Sequence, residues 1–273
     1  AIAASLVTSG SFSANWNAVT GSAGYRLDVS TDIGFSSFIV GFEDLDVGAV
    51  TTYAVSGLSG GTTYYYRVRS YNNSGTSVNS NTITVTTIPA APVSLSAASV
   101  FNTGFTANWN ASTGATGYRI DISTNPGFTS FITGYNNTDL GNVLTRNVIS
   151  LTANTTYYYR IRAYNSSGVS ANSNVITVIT APVAVVATGA SFLNSAGFNA
   201  NWNATAGATG YRLDVATNNT FTSMVAGFDN YDAGNVTTFA VSGLAGGTTY
   251  YYRLRAYNDY GTGPNSNIIT VLT

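Results

Sequence analysis

Apolar and polar residues alternate in short runs along the whole chain, and each run ends in a cluster of Gly, Asn, Ser or Thr. In the stretch Ser11 to Asn17, Phe12, Ala14 and Trp16 share one face. Alternation of this kind predicts a half-buried strand, because successive strand side chains point to opposite faces. Tyr25 to Val29 alternates again, with Tyr25, Leu27 and Val29 inward and Arg26 and Asp28 outward. Thr62 to Ser70 places Tyr64, Tyr66 and Val68 inward, and Tyr65, Arg67 and Arg69 outward. Thr82 to Thr86 follows with Ile83 and Val85 inward. Gly60-Gly61 and Asn72 to Gly75 carry turn chemistry. Short strands divided by such turns predict an all-β sandwich.

The whole pattern then recurs. Trp16, Trp109 and Trp202 are spaced by 93 residues, as are Tyr25, Tyr118 and Tyr211, and Tyr64, Tyr157 and Tyr250. No insertion or deletion interrupts the period, although loops are where repeats normally drift. These nine aromatics are the expected structural core. Burying one Trp is worth about 4–6 kcal/mol at roughly 25 cal/mol per Å². Three units are expected, at residues 1–88, 89–181 and 182–273. They join through Ile88-Pro89-Ala90-Ala91-Pro92-Val93 and Ala181-Pro182-Val183-Ala184-Val185-Val186, which hold Pro and apolar residues but neither Gly nor Ser. Such linkers predict stiff coupling and a rod on the order of 100 Å long. Residue 1 aligns with Ser94 and residue 273 with Thr180, the frame expected of a window onto a longer array.

The run Leu58-Ser59-Gly60-Gly61-Thr62-Thr63-Tyr64, followed by Tyr66, Val68, Ser70, Asn72 and Gly75, resembles the fibronectin type III signature. Trp16 and Tyr25 match that family's core Trp and Tyr, and the pattern returns at Leu151 to Gly168 and Leu244 to Gly261. The resemblance covers essentially the whole chain. It implies three tandem immunoglobulin-like, seven-stranded sandwiches, with Gly60 standing where the family usually has Pro. The fold hosts many roles, so the resemblance says little about function. The Lys-free, Asn-, Thr- and Tyr-rich composition is similar to that of repeat proteins on bacterial cell surfaces.

Composition narrows the function. Charged residues are 8% of the chain and the net charge is −1. No basic cluster is present to neutralise phosphates, which argues against nucleic acid. No apolar run is long enough for a spanning helix, which argues against membrane insertion. The chain has no Cys, His or Lys. Disulfides, thiolate metal sites, Schiff bases and the usual nucleophile–base pairs are therefore unavailable, and no enzyme is expected.

Two patterns could carry interactions. The outward face of two strands presents Arg26, Tyr65, Arg67 and Arg69, repeated as Arg119, Tyr158, Arg160 and Arg162 and again as Arg212, Tyr251, Arg253 and Arg255. Nine of the ten Arg lie in these ladders. Cross-strand pairing on a solvated sheet accounts for them; so does a binding face, since Tyr and Arg are enriched at interfaces. The second pattern is Asp44-Leu45-Asp46-Val47-Gly48, with Asp139 and Asp232 at the places of Asp46. Acidic oxygens at alternate positions before Gly resemble half of a calcium loop, and Asx turns explain the same residues. Calcium is the one candidate metal; no other cofactor is expected.

The expectation is an extracellular or cell-surface structural array, either a stiff spacer or a self-assembling fibre or matrix subunit. The alternative is a glycan- or protein-binding adhesion module within a larger secreted protein. Its partners would be other copies of itself, neighbouring surface proteins or polysaccharide.

Overall fold

The computed structural model describes all residues 1–273. Every regular element is a strand. The first unit holds β1 (Ile2–Ser5), β2 (Ser11–Asn15), β3 (Gly24–Ser30), β4 (Leu45–Gly48), β5 (Thr52–Ser56), β6 (Thr63–Asn72), β7 (Gly75–Thr76) and β8 (Ile83–Thr86). One sheet has the order β1-β2-β5. The other runs β4-β3-β6, with β7 and β8 both pairing along β6 as two pieces of one last strand. All pairings within the unit are antiparallel. This is the sandwich the alternation predicts, with the seven strands the family resemblance implies; the second unit repeats both sheet orders, and in the third the hairpin end of the long strand is paired only by the isolated Tyr257–Thr262 bridge.

Each unit closes its own core. Phe12, Ala14, Trp16, Tyr25, Leu27, Val29, Tyr64, Tyr66, Val68 and Val85 pack together in the first, with matching clusters in the others. Trp16 lies against Tyr25 at 5.6 Å between rings, and Phe12 stacks on Tyr66 at 5.7 Å. Three tyrosine hydroxyls pin the frame. Tyr64 accepts the Ser59 N–H at 2.8 Å, the corner that the Leu-Gly-Gly-Tyr run implies, and Tyr157 and Tyr250 repeat it. Tyr25 accepts the Val19 N–H at 2.8 Å. Tyr66 crosses the core: its ring is fully buried in one sheet, and its hydroxyl donates to Ile2 O in the other. Tyr159 and Tyr252 make the same bridge to Leu95 O and Thr188 O.

The first Asn of each Asn-Trp-Asn triplet is a bolt. Asn15 donates through Nδ2 to Ala3 O, Ser5 Oγ and Ser13 O and accepts from Thr52 Oγ1, so it ties three strands where the β1–β2 register slips. Asn108 and Asn201 do likewise. Charge is segregated between the two sheets. Of 10 basic and 11 acidic residues, only Arg146 lies in a strand of the three-stranded sheets.

The units meet through a repeated junction. Thr87 and Thr180, at the ends of the last strands, are fully buried. Asn165 Nδ2 donates to Thr87 O at 2.9 Å, and Asn258 Nδ2 to Thr180 O at 3.0 Å. Gly61 lies so close to Gly114 that a side chain on either would overlap the other's backbone. The linkers are anchored at two points each: Pro89, Pro92, Pro182 and Val185 are buried, with Val185 part of the third core, while Val93, Val183 and Val186 are exposed. Val93 O and Val186 O accept the N–H groups of Asn110 and Asn203, prolonging the first strand of the following unit. Three separate units of this mass would expose about 15,000 Å² in total. The chain exposes 12773 Å². Each junction therefore hides roughly 1,100 Å², in the upper part of the range for contacts between domains.

Candidate functional site

The outward face of β3 and β6 differs from the sequence expectation at one residue per unit. Asp28 alternates outward, yet its side chain is only 2% exposed. It is covered by the neighbours that the register sets beside it: Asp28 pairs with Arg67, and Arg26 with Arg69. Arg67 Nε meets Asp28 Oδ2 at 2.9 Å and Arg69 meets Oδ1 at 3.0 Å. The Asp44 N–H donates to Oδ1 at 2.8 Å. Both carboxylate oxygens are thus held by charge-assisted bonds, which offsets the cost of burying the charge. Asp121 with Arg160 and Arg162, and Asp214 with Arg253 and Arg255, repeat the cluster at 2.8–3.0 Å.

Each cluster is roofed by an aromatic ring that the sequence reading did not single out. The Arg67 guanidinium lies 4.0 Å from the centre of Phe35, Arg160 4.1 Å from Phe128, and Arg253 4.1 Å from Phe221. These Phe are spaced by 93 residues and adopt φ of 56°, 54° and 58°. That region is unfavourable for a bulky side chain. The cation–π contact and burial hold it there. The fixed spacing was the signal that could have revealed them; their place in a loop without alternation hid it.

A second layer lies at the sheet edge. Arg26 reaches Asp44 at 3.3 Å and Asp46 at 3.9 Å, with its guanidinium 5.4 Å from the Tyr71 ring centre. That ring crosses Gly24, where any side chain would collide with it. The Tyr71 hydroxyl donates to Asp46 at 3.0 Å, and Asp46 Oδ1 also accepts the Gly48 N–H at 2.9 Å. These bonds, the Gly48 amide foremost, hold the Asp46 carboxyl below its usual range, and the bond to Asp46 pushes the Tyr71 hydroxyl up. Asp139 and Asp232 are held low in the same way.

The structure therefore places Asp44 against Arg69 and Arg26, and Asp46, Asp139 and Asp232 against a Gly amide and a Tyr hydroxyl. No group of three acidic side chains converges as a cation cage would require. In the ladders, Arg26, Arg67, Arg69, Arg119, Arg160, Arg162, Arg212, Arg253 and Arg255 all engage carboxylates. Tyr65, Tyr158 and Tyr251 stand apart. They are half-buried on the same face, beside Thr84, Thr177 and Thr270. Their hydroxyls make no bond within the chain.

A series of small antiparallel sandwiches, each with a tyrosine corner and joined by short linkers, defines a tandem β-sandwich array. Residues 184–272 match the family profile of the fibronectin type III domain. The first and second units repeat that third unit in strand order and at fixed spacing. The chain is a tandem array of β-sandwich units, the third of which matches the fibronectin type III domain. It is 32% identical to Kelch domain-containing protein SSO1033 of Saccharolobus solfataricus over 62% of this chain and 22% of that protein. It is 30% identical to Chitinase A1 of Niallia circulans over 64% of this chain and 24% of that protein, and 32% identical to Exoglucanase B of Cellulomonas fimi over 63% and 15%. The chain thus spans a quarter or less of these relatives' lengths. A crystal structure of chicken CNTN1 FN1-FN3 domains aligns over 99% of this chain and 96% of that one, at 19% identity and a TM-score of 0.39.

Proposed function

We propose that this chain is a non-catalytic, extracellular spacer array that holds what it is joined to at a fixed distance. The observation that carries this reading is the junction. Two successive contacts use an equivalent Asn side chain on an equivalent Thr carbonyl, with Pro89 and Pro92 of one linker and Pro182 and Val185 of the other buried. A flexible tether would leave its linker solvated and its neighbours untouching. The clamped Asp–Arg clusters fit the same role, because they spend the charged groups of the face on internal bonds. The matched relatives include two proteins named as a chitinase and an exoglucanase, of which this chain resembles only a small part. An accessory position beside such domains suits a spacer. Small-angle X-ray scattering tests it: a rod of about 100 Å in its longest dimension supports the reading. A broad distribution of shorter, bent forms sinks it.

A second reading rests on Tyr65, Tyr158 and Tyr251, whose free hydroxyls and half-open rings suit stacking on neutral polysaccharide. Retention on insoluble chitin and cellulose, compared with the triple Tyr→Ala variant, decides it. Equal retention of the two forms removes this reading.

A further inference from the structure

The middle unit departs from its neighbours at one place. In the first unit, Tyr53 stands at an inward position of β5 and meets Phe42 edge-on, with 6.4 Å between rings. In the third, Phe239 meets Phe228 in the same way at 6.4 Å. Both pairs pack against the edges of their cores. The middle unit keeps the register but not the ring: Arg146 pairs with Ala107 where Tyr53 pairs with Ala14. An open pocket of about 660 Å³ results, walled by Phe131, Ile132, Tyr135, Arg146 and Ile149. Neither other unit has a pocket at this place. The volume is that of a small-ligand site.

The polar groups around this pocket are unspent. Every other Arg of the chain engages a carboxylate, whereas Arg146 is exposed and engages none. The hydroxyl of the buried Tyr135 accepts the Ile149 N–H at 3.2 Å and keeps its own proton free to donate. That bond stands in for a ladder pairing. Ser11 pairs with Ser56 and Gly197 with Ser242 in the other units, but Ile149 lies just past the end of its strand. The hydroxyls of Thr133 and Ser150 also line the pocket and bond to nothing within the chain. Ser150 holds a φ of 64°, where the other units have Gly57 and Gly243. A Ser in this left-handed conformation gives up stability that Gly would keep. Charge shifts in the same direction. Glu43 and Asp229 follow Phe42 and Phe228, but Asn136 follows Tyr135. Relative to either neighbouring unit, the pocket has gained a cation and lost an adjacent acid.

We propose that this pocket binds a carboxylate-bearing sugar, a uronic acid unit of an acidic polysaccharide. The Arg146 guanidinium takes the carboxylate in its planar fork. The Phe131 ring, 36% exposed, offers a flat apolar face to the C–H side of the sugar ring. Ile132 and Ile149 complete the apolar wall. The hydroxyls of Thr133, Tyr135 and Ser150 meet those of the sugar. A fatty or aromatic acid would satisfy Arg146 and the apolar wall but leave those three hydroxyls unmatched. The open mouth lets the rest of a polysaccharide chain run out to either side. The proposal adds to the spacer reading and does not depend on it: the array would be fastened to a surrounding matrix at its middle unit.

Amide NMR titration of the full chain with a galacturonic acid tetramer tests this, against the same tetramer with its carboxyls methyl-esterified. The acidic tetramer shifts the Ile132, Arg146 and Ile149 amides with a Kd of about 1 mM or tighter. Ile39, Tyr53 and Ser56, their counterparts in the first unit, stay in place. The ester binds at least about tenfold more weakly, as does Arg146→Gln with the acidic tetramer, since each removes a charge-assisted contact. Arg146→Lys, which keeps the charge and loses the fork, falls between. Arg146 is exposed and makes no internal bond, so an unchanged thermal midpoint is expected of both variants. No shift up to about 10 mM, equal binding of acid and ester, or binding indifferent to Arg146→Gln would each overturn the proposal. So would shifts spread over the paired Arg of all three units. The scattering test of the spacer reading is untouched by any of these results.

Discussion

Removing the carboxylate of Asp121 should destabilise the second unit far more than removing a surface ion pair. Asp121→Ala strips the bonds of three residues at once: those from Arg160 and Arg162, and the one from the Asn137 N–H at 2.6 Å. Taking one partner from a buried pair costs about 3–5 kcal/mol when the other charge stays buried. Here the orphaned Arg side chains are 21% and 22% exposed, so they can turn partly toward water. The expected loss is therefore about 2–3 kcal/mol. Hydrogen exchange of the intact chain reads this out unit by unit. The Ile120 and Ile122 amides lie on the buried strand beside Asp121, and Leu27 and Leu213 in the other units serve as internal references. Exchange at Ile120 and Ile122 should quicken roughly 30- to 150-fold, at 1.36 kcal/mol per decade. Asp121→Asn, which keeps an oxygen for the Asn137 amide, should fall between. An acceleration below about fivefold would equate Asp121 with an exposed pair and refute the argument.

Tyr159→Phe should cost about 1–3 kcal/mol, because Leu95 O and the Asn108 N–H lose a buried partner; denaturant titration of the chain measures it. Burial pushes the Tyr159 hydroxyl up to about 12 and also raises Tyr66 and Tyr252. Above pH about 10 the unfolded chain loses those protons while the folded chain keeps them. The hydroxyls' contribution is thus whole below pH 10 and drains away toward pH 12, and a stability unchanged across that window would contradict the bridging role. Asn165→Asp should loosen the first junction only, visible in scattering as a broader range of lengths with the unfolding midpoint nearly unchanged. Millimolar calcium should leave the unfolding midpoint in place, since Gly amides, Tyr hydroxyls and Arg side chains already engage the candidate carboxylates.

Alternation located the core strands because burial in a sandwich follows the pleat: Phe12, Trp16, Leu27 and Tyr66 all lie where the two-residue period puts them. The same period failed at Asp28. It says which face a side chain leaves from, but not whether longer neighbours fold over it, and Arg67 and Arg69 do. The Asn-Trp-Asn triplet was conspicuous as a marker, yet the work of Asn15 depends on the slipped register of the first strand, which no local pattern announces. The linkers' Pro residues were plain in the sequence, but not that Pro89, Pro92 and Pro182 would be buried. The hydrogen bonds that clamp the junctions come from Asn165 and Asn258, 78 residues downstream of the carbonyls they hold.

The segregation of charge has a consequence for where such an array can work. Nine of its ten Arg lie on one sheet and are paired there with Asp at contact distance, within the roughly 8 Å over which physiological salt begins to screen. The opposite sheet presents Ser13, Asn15, Thr52, Thr106, Asn108, Asn199 and Thr238, with Arg146 as the one ion in its strands. Little electrostatic field extends into the surroundings, so added salt has little to switch off. The spacing this chain sets should be the same in rainwater as in brine, and what approaches its weakly charged flank is sorted mainly by shape and hydration.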